Sequence, residues 1–163
     1  MSPLTALHAL LDEARVASLA VATAEGPDVS LVPVLVRRAP LAVVLLVSEL
    51  SAHTAALRAN PSCALLFRRE LTPDDPRDHH ATERATVHGE ARFLTRDEAA
   101  ARGHDVAWSA RFPRVAPMIL PLKDFHFVEV TPSPRGASFV QGFGRAFRVL
   151  GPALDVLEHV TGR

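Results

Sequence analysis

Apolar positions recur at two spacings along the chain, and together they predict a mainly β protein with a few helices. Leucines at helical spacing after Ser2-Pro3, a cap followed by a first-turn proline, predict a helix over Leu4–Val16. Short apolar or alternating runs, separated by turns, then predict strands. These predicted strands cover Ala17–Thr23, Val29–Arg37, Leu41–Ser48, Ser62–Arg69 and part of Ala81–Leu94. Because they follow one another through short turns, antiparallel pairing is the natural arrangement.

The remaining segments add helices and a late hairpin. The predicted helices are Ser51–Asn60, Arg96–Ala110 after a Thr95 cap, and Pro152–Val160. Asp124–Thr131 and Ala137–Gln141 are predicted to pair as a hairpin around Pro132–Gly136. No repeat or low-complexity linker divides residues 1–163, so we expect a single domain. Antiparallel strands with peripheral helices favour a small barrel with its helices outside.

Charge and cysteine content exclude several classes of protein. Lys+Arg and Asp+Glu are both 18, and the pI is near 7.1, which argues against general nucleic-acid binding and against a polybasic membrane anchor. The longest apolar run, Leu41–Val47, is too short to cross a bilayer. The single cysteine, Cys63, excludes an internal disulfide framework and favours a cytoplasmic protein with an inert buried thiol.

Several kinds of catalytic site are also excluded. Lys123 is the only lysine and does not stand in a phosphate-binding loop, and no Gly-x-Ser-x-Gly nucleophile motif occurs. Aspartates and histidines cluster within residues 74–80, where a metal site is conceivable. A solvated, proline-rich loop explains that cluster better, so we predict no metal site. His88 and His126 fall on predicted strands, as residues of either the barrel surface or the site.

The strongest local signal for chemistry is the passage from a buried strand to a short helix at Ser48–Thr54. Such a junction exposes unpaired backbone N–H groups, and Ser48, Ser51 and Thr54 add hydroxyl donors. His53 can add positive charge. Together they predict a pocket for a phosphate dianion. The alternative is that Ser51 only caps the helix and His53 faces water.

A second signal is the glycine pair around an aromatic residue, Gly142-Phe143-Gly144. Glycines there let the backbone turn sharply or approach a flat ligand. The alternative is a β-bulge or turn beside the core.

The order of these pieces resembles the pyridoxamine 5′-phosphate oxidase-like, FMN-binding split-barrel proteins, and most of all the branch related to haem-utilisation proteins. The segments that carry the resemblance are Ser48–Phe67, Gly26–Val34, Asp124-Phe125 and Gly142–Ala146, within residues 5–148. The resemblance implies a six-stranded antiparallel split β-barrel. It also implies a homodimer with flavin at the subunit interface.

The resemblance also implies which residues hold the cofactor. Ser48, Ser51, His53 and Thr54 correspond to the phosphate-binding turn. Ala52 stands where the oxidases commonly carry arginine, a loss that Arg68 or Arg69 would have to offset. For the isoalloxazine ring, the implied contacts are Ser30, Arg84 and the Gly142, Phe143 and Gly144 segment.

We therefore expect an FMN-binding oxidoreductase of unknown substrate, with no catalytic residue assigned. One alternative is a haem-binding or haem-utilisation protein on the same fold. Haem-degrading members carry an iron-ligating histidine just after the Gly-Phe-Gly element, where this chain has Phe147. The other alternative is a non-catalytic split-barrel dimer.

Overall fold

Residues 1–160, which the computed structural model describes, fold around one curled antiparallel sheet. Its nine strands within these residues are β1 (Val16–Thr23), β2 (Gly26–Pro33), β3 (Leu35–Arg38), β4 (Leu41–Ser48), β5 (Ser62–Arg68), β6 (Glu83–Phe93), β7 (Phe125–Gln141), β8 (Ala146–Leu150) and β9 (Val156–His159). The helices are α1 (Pro3–Glu13), α2 (Ala52–Ala59), α3 (Arg96–Ala101), α4 (His104–Arg111) and α5 (Ala116–Ile119). The predicted mainly β split barrel is confirmed.

The strands bond in the order β2-β1-β5-β6-β7-β4-β3, and β8 and β9 extend the sheet from the far half of β7. The sheet has more strands than the six expected for two reasons. Val34 separates β2 from β3, where its amide donates to the carbonyl of Arg15. The C-terminal segment also adds strands rather than a helix. Among residues 1–160, none of the helices has the length and apolar character needed to cross a membrane.

Helix α1 fills the interior of the curled sheet. Ser2 caps it by accepting a hydrogen bond from the amide of Thr5, and the leucines at helical spacing all turn inward. Leu7, Leu10 and Leu11 are buried with residues from β1, β4, β5, β6 and β7 in one continuous core. Burial of this stripe outweighs the entropy cost of ordering the helix.

Helices α3, α4 and α5 cover the opposite side of β4 and β7. Trp108 and Phe127 lie at the centre of this second, smaller core. A buried carboxylate fastens the helices to the sheet, because Glu129 of β7 accepts hydrogen bonds from Arg102 and from Nε2 of His104. Burial alone would raise the pKa of Glu129, but the bonds from His104 and Arg102 outweigh it and lower the pKa.

The prediction of one helix over Arg96–Ala110 is wrong in one respect. Thr95 and Glu98 form a reciprocal capping box at its start, in the first turn where acidic residues are favourable. Gly103 then takes a left-handed conformation with φ of 69°, which ends α3 and begins α4.

The predicted hairpin around Pro132–Gly136 is also wrong, because β7 runs continuously from Phe125 to Gln141. The ladder between β6 and β7 loses register there: Val87 pairs with Ala137, whereas Gly89 pairs with Pro132. Four residues of β7, 133–136, therefore lie opposite the single residue His88. The segment Pro-Ser-Pro-Arg-Gly, residues 132–136, thus forms a large bulge in a bent strand. Proline is tolerated at such a position.

The predicted C-terminal helix over Pro152–Val160 is replaced by a turn and a strand. Gly151 and Leu154 both take positive φ, which a helix does not allow. Leu154 is fully buried, and β9 then pairs with β8. Tertiary packing of Leu154 against the barrel core outweighs the helical spacing of the segment.

Replacement of Gly136 tests the bulge in β7. Gly136 has φ of 68°, and a Cβ atom would lie 2.1 Å from the carbonyl oxygen of Val149. Gly136→Ala should lower the free energy of unfolding by at least about 3 kcal/mol in urea denaturation, because strain and collision add. Gly144→Ala is the control: φ is 74° with nothing within 4 Å, so about 1 kcal/mol is expected. Equal losses would contradict the close approach of β7 and β8.

Candidate functional site

The turn between β4 and α2 is fixed by its own hydrogen bonds. The amide of Ser51 donates to the carbonyl of Ser48 at 3.0 Å, and the amide of Thr54 donates to the carbonyl of Ser51 at 3.0 Å. The Thr54 hydroxyl donates to the same Ser48 carbonyl at 2.6 Å, and Thr54 is fully buried. Ser48 Oγ accepts from the amide of Leu50 at 3.2 Å. Thr54, predicted to bind phosphate, therefore braces the turn with its hydroxyl.

His53 faces β2, which brings two predicted site residues together. Its Nδ1 lies 3.0 Å from Ser30 Oγ in a hydrogen bond. Burial lowers the pKa of the His53 imidazole below its usual 6.5, and the carboxylate of Asp28 opposes this only in part. At neutral pH the imidazole is thus mostly uncharged, and it adds little positive charge to the turn.

The nearest basic side chains are already engaged by a carboxylate in the turn itself. Glu49 Oε1 lies 2.5 Å from Arg58 Nη2 and 2.7 Å from His126 Nε2. The Arg58 guanidinium also stacks over the ring of Phe93 at 4.2 Å. For an anion, the turn offers the first amides of α2 and the Ser51 hydroxyl, which makes no capping bond to the helix. The expected offset by Arg68 or Arg69 is not supplied at this turn: Arg69 pairs with Glu13 and Glu83, and Arg68 with Glu70.

Arg84 and the Gly142–Gly144 segment form a separate group. Arg84 is exposed on β6, opposite Arg68 on one side and Val140 on the other. The Gly142–Gly144 segment follows β7 as the turn into β8, with positive φ at both glycines. Phe143 at its tip is 87% exposed. Ser48 pairs with Phe125, at the other end of β7. Within one chain, therefore, the two groups of predicted site residues stay apart.

A feature that the sequence did not indicate is a largely apolar outward surface on β2, β1, β5 and β6. Directly opposed residues on neighbouring strands share one face, and the register aligns two rows across these strands. The rows are Val29-Ala20-Ala64-His88 and Leu31-Ser18-Leu66-Thr86. We call these eight residues the outer face. No helix among residues 1–160 covers it, and Val29 and Leu31 are 64% and 70% exposed.

A concavity of about 460 Å³ lies at the hairpin end of the outer face. Ala20, Ala64 and His88 form its floor, and Ser133 and Arg135 reach its rim from the bulge in β7. Burial and the charge of Arg135 both lower the pKa of the His88 imidazole. His88 was one of two strand histidines that the sequence left open. Alternation along β6 places His88 on the outward side with Arg84 and Thr86, but its neighbours there depend on the pairing with β5 and β7.

Two further sequence features have structural explanations. Cys63 is buried, and burial raises the pKa of its thiol to about 11, which makes it unreactive at neutral pH. In the polar loop, exposed Asp78 and His80 pair with each other at 2.7 Å. Among residues 1–160, no group of three or more His, Cys, Asp or Glu side chains is arranged to hold a metal ion.

The state of His53 can be tested by NMR titration of the histidine side chains. The His53 imidazole should titrate below pH 6.5, because burial disfavours its charged form. Asp28→Asn should lower this pKa further, since it removes the carboxylate that favours the imidazolium. Asp12→Asn is the matched control, because Asp12 pairs with Arg38 elsewhere. A pKa that rises in Asp28→Asn would contradict the described site.

Comparison with known sequences links these features to known proteins. A sequence model of the family described as Pyridoxamine 5′-phosphate oxidase matches residues 4–134. Over 105 residues the chain is 35% identical to the chloroplastic haem oxygenase HOZ of Arabidopsis thaliana. That match covers 64% of this chain but 29% of the plant protein, so the chain spans under a third of this relative's length.

Solved structures with the same fold include a haem-binding protein. The haem-binding protein from Mycobacterium smegmatis matches with a TM-score of 0.74 at 25% identity, covering 94% of this chain and 60% of that chain. Campylobacter jejuni ChuZ matches with a TM-score of 0.80 at 21% identity, covering 96% and 61%. The likeness to ChuZ shows the fold.

Proposed function

Because the chain belongs to the pyridoxamine 5′-phosphate oxidase family, we propose that it binds haem between two copies of itself, on the outer face. The observation that carries this proposal is the chemistry of that face. Two rows of small and apolar residues make a flat floor, and exposed Arg68 and Arg84 lie beside it. A flat, apolar macrocycle with two carboxylates is complementary to such a surface.

The relatives support haem over flavin. The plant protein at 35% identity is a haem oxygenase, and the mycobacterial protein at 25% identity binds haem. Haem, when bound, supplies iron-centred redox chemistry. This chain would supply the apolar floor, the arginines and exclusion of water. With a single cysteine, we place the protein in a reducing compartment, the cytoplasm.

The homodimer is part of the proposal, and the exposed apolar residues support it. Val29 and Leu31 project from β2 without a covering element among residues 1–160. Contiguous exposed apolar surface of this kind marks interaction sites. A second copy would bury it through an isologous contact, in which each outer face meets its equivalent.

Flavin mononucleotide is the second candidate ligand. One observation favours it: the first amides of α2 and the Ser51 hydroxyl are available beside the Ser30–His53 pair. Among residues 1–160, no free cation lies at this turn, because Glu49 engages Arg58 and lies against His126, and this weighs against tight phosphate binding. An oxidoreductase function with FMN therefore stays the alternative.

Titration with haemin and FMN in parallel separates the two candidates. Haemin should give a saturable Soret band with Kd of about 1 μM or tighter, equivalent to about −8 kcal/mol. FMN should bind at least about tenfold more weakly, because the turn lacks a free cation. Riboflavin is the control for the phosphate. If FMN bound tightly, riboflavin bound weakly and haemin gave no saturable band, the flavin candidate would replace haem.

Substitution on the outer face tests the dimer. Leu31→Arg should convert a dimer into a monomer at micromolar concentration in sedimentation equilibrium, because two charges would then meet in an apolar contact. It should also weaken haemin binding by about tenfold or more. Val106→Arg is the matched control, since Val106 is equally exposed, at 71%, but lies on α4. The proposal fails if Leu31→Arg sediments like the unmodified protein.

A further inference from the structure

We propose that His88 supplies a protein ligand to the haem iron, an inference that rests on the proposed haem site. His88 is the only histidine on β1, β2, β5 and β6, the four strands that form the outer face. Ala20, Ala64 and His88 are consecutive in one row across β1, β5 and β6, so a broad ligand that covers this row comes within reach of the His88 imidazole. The position that follows the Gly-Phe-Gly element holds Phe147, which is buried and cannot coordinate a metal.

The other histidines are committed to other contacts or lie elsewhere. His8 forms a hydrogen bond with the carbonyl of Leu154, His53 with Ser30, and His104 with Glu129. His126 Nε2 is buried beside Glu49 without a hydrogen bond, and His159 lies against the ring of Phe147. His79 and His80 lie in the exposed 3-10 turn. Among residues 1–160, the His88 ring has no hydrogen-bond partner, and it faces the open concavity.

The bulge in β7 accounts for the availability of His88. Because the ladder loses register between Val87 and Gly89, β6 has one residue opposite four of β7. The extra residues are on β7, and the bulge brings Ser133 and Arg135 to the concavity beside His88. Gly89 permits the close approach that follows: a Cβ there would lie 2.6 Å from Val130. The small side chains of Ala20, Ala22 and Ala64 leave the space above the imidazole open.

The charges around His88 suit both the metal and its ligand. Burial and Arg135 favour the neutral imidazole, which is the form that coordinates iron. Arg135 lies at the rim of the concavity. Arg84 lies on β6, four residues before His88 and about 13 Å from it along the strand. Neither arginine has a carboxylate partner within 4 Å among residues 1–160, in contrast to Arg69 and Arg102. Nη1 of Arg84 donates to the carbonyls of His80 and Thr82, and its remaining N–H groups are available to the carboxylates of a ligand, as is Arg135.

Spectroscopy of the haemin complex tests the assignment in the full chain. Relative to the unmodified protein, His88→Gln and His88→Gly should shift the Soret band and raise the Kd for haemin by about tenfold or more. Added imidazole should restore the original spectrum in His88→Gly, because it can occupy the vacated position. His79→Ala, in the exposed 3-10 turn, is the control and should leave the spectrum unchanged.

The outcomes separate this inference from the proposed function. If the unmodified protein binds haemin and both His88 variants keep its spectrum and affinity, the inference is overturned while haem binding stands. If the unmodified protein gives no saturable Soret band, the proposed function fails, and the assignment of His88 fails with it. Far-UV circular dichroism of each variant shows that a lost band is not a lost fold.

Discussion

The ladder between β6 and β7 is the constraint on which the rest of the structure depends. Strand β7 pairs with β4 along its first part and with β8 along its last, so it must bend strongly, while β6 follows it on the other edge. The bend is taken up at one place, where residues 133–136 lie opposite His88. This irregularity shapes the concavity at the end of the outer face. The fold and the proposed site thus share one structural cause.

Charge decides between the two places where a ligand could lie. The turn after β4 has the backbone geometry of an anion site, but Glu49 holds Arg58 within the turn, and burial keeps His53 mostly neutral. The outer face has the reverse character, with an apolar floor and, beside it, Arg84 and Arg135, which have no carboxylate partner among residues 1–160. An anionic headgroup alone would gain little at the turn. A large apolar ligand with carboxylates gains from both properties of the outer face.

Sequence patterns predicted the elements whose signal is local. The bounds of β4 came out as expected because its continuous apolar run is typical of a buried strand, and Thr95 marked the start of α3 through its capping box. The predictions were wrong where contacts between residues distant in sequence determine the local structure. Proline and glycine in residues 132–136 indicated a turn, but pairing with β6 makes them a bulge. Likewise, burial of Leu154 overrides helical spacing near the C-terminus.

The candidate site shows the same difference between features with a local sequence signal and features that depend on distant contacts. The hydrogen bond between Ser30 and His53 joins two residues that the family resemblance had already singled out, and the sequence order sufficed for that. The outer face depends on register across four strands, which no single strand reveals. Arg84 was expected beside a flavin ring with Ser30, yet it lies with the Gly142–Gly144 turn at the far end of β7. The residues of the proposed site between two copies therefore depend on strand pairing, which a pattern along one chain does not show.

The facing arginines on β5 and β6 have a consequence for how the protein responds to its surroundings. Arg68 and Arg84 are directly opposed, and like charges so placed repel each other. The exposed carboxylate of Glu70 forms an ion pair with Arg68 only. A dianionic ligand at the proposed site would remove the remaining repulsion between the two guanidinium groups. By thermodynamic linkage, such a ligand would raise the melting temperature, and dissolved salt would have part of the same effect by screening the repulsion.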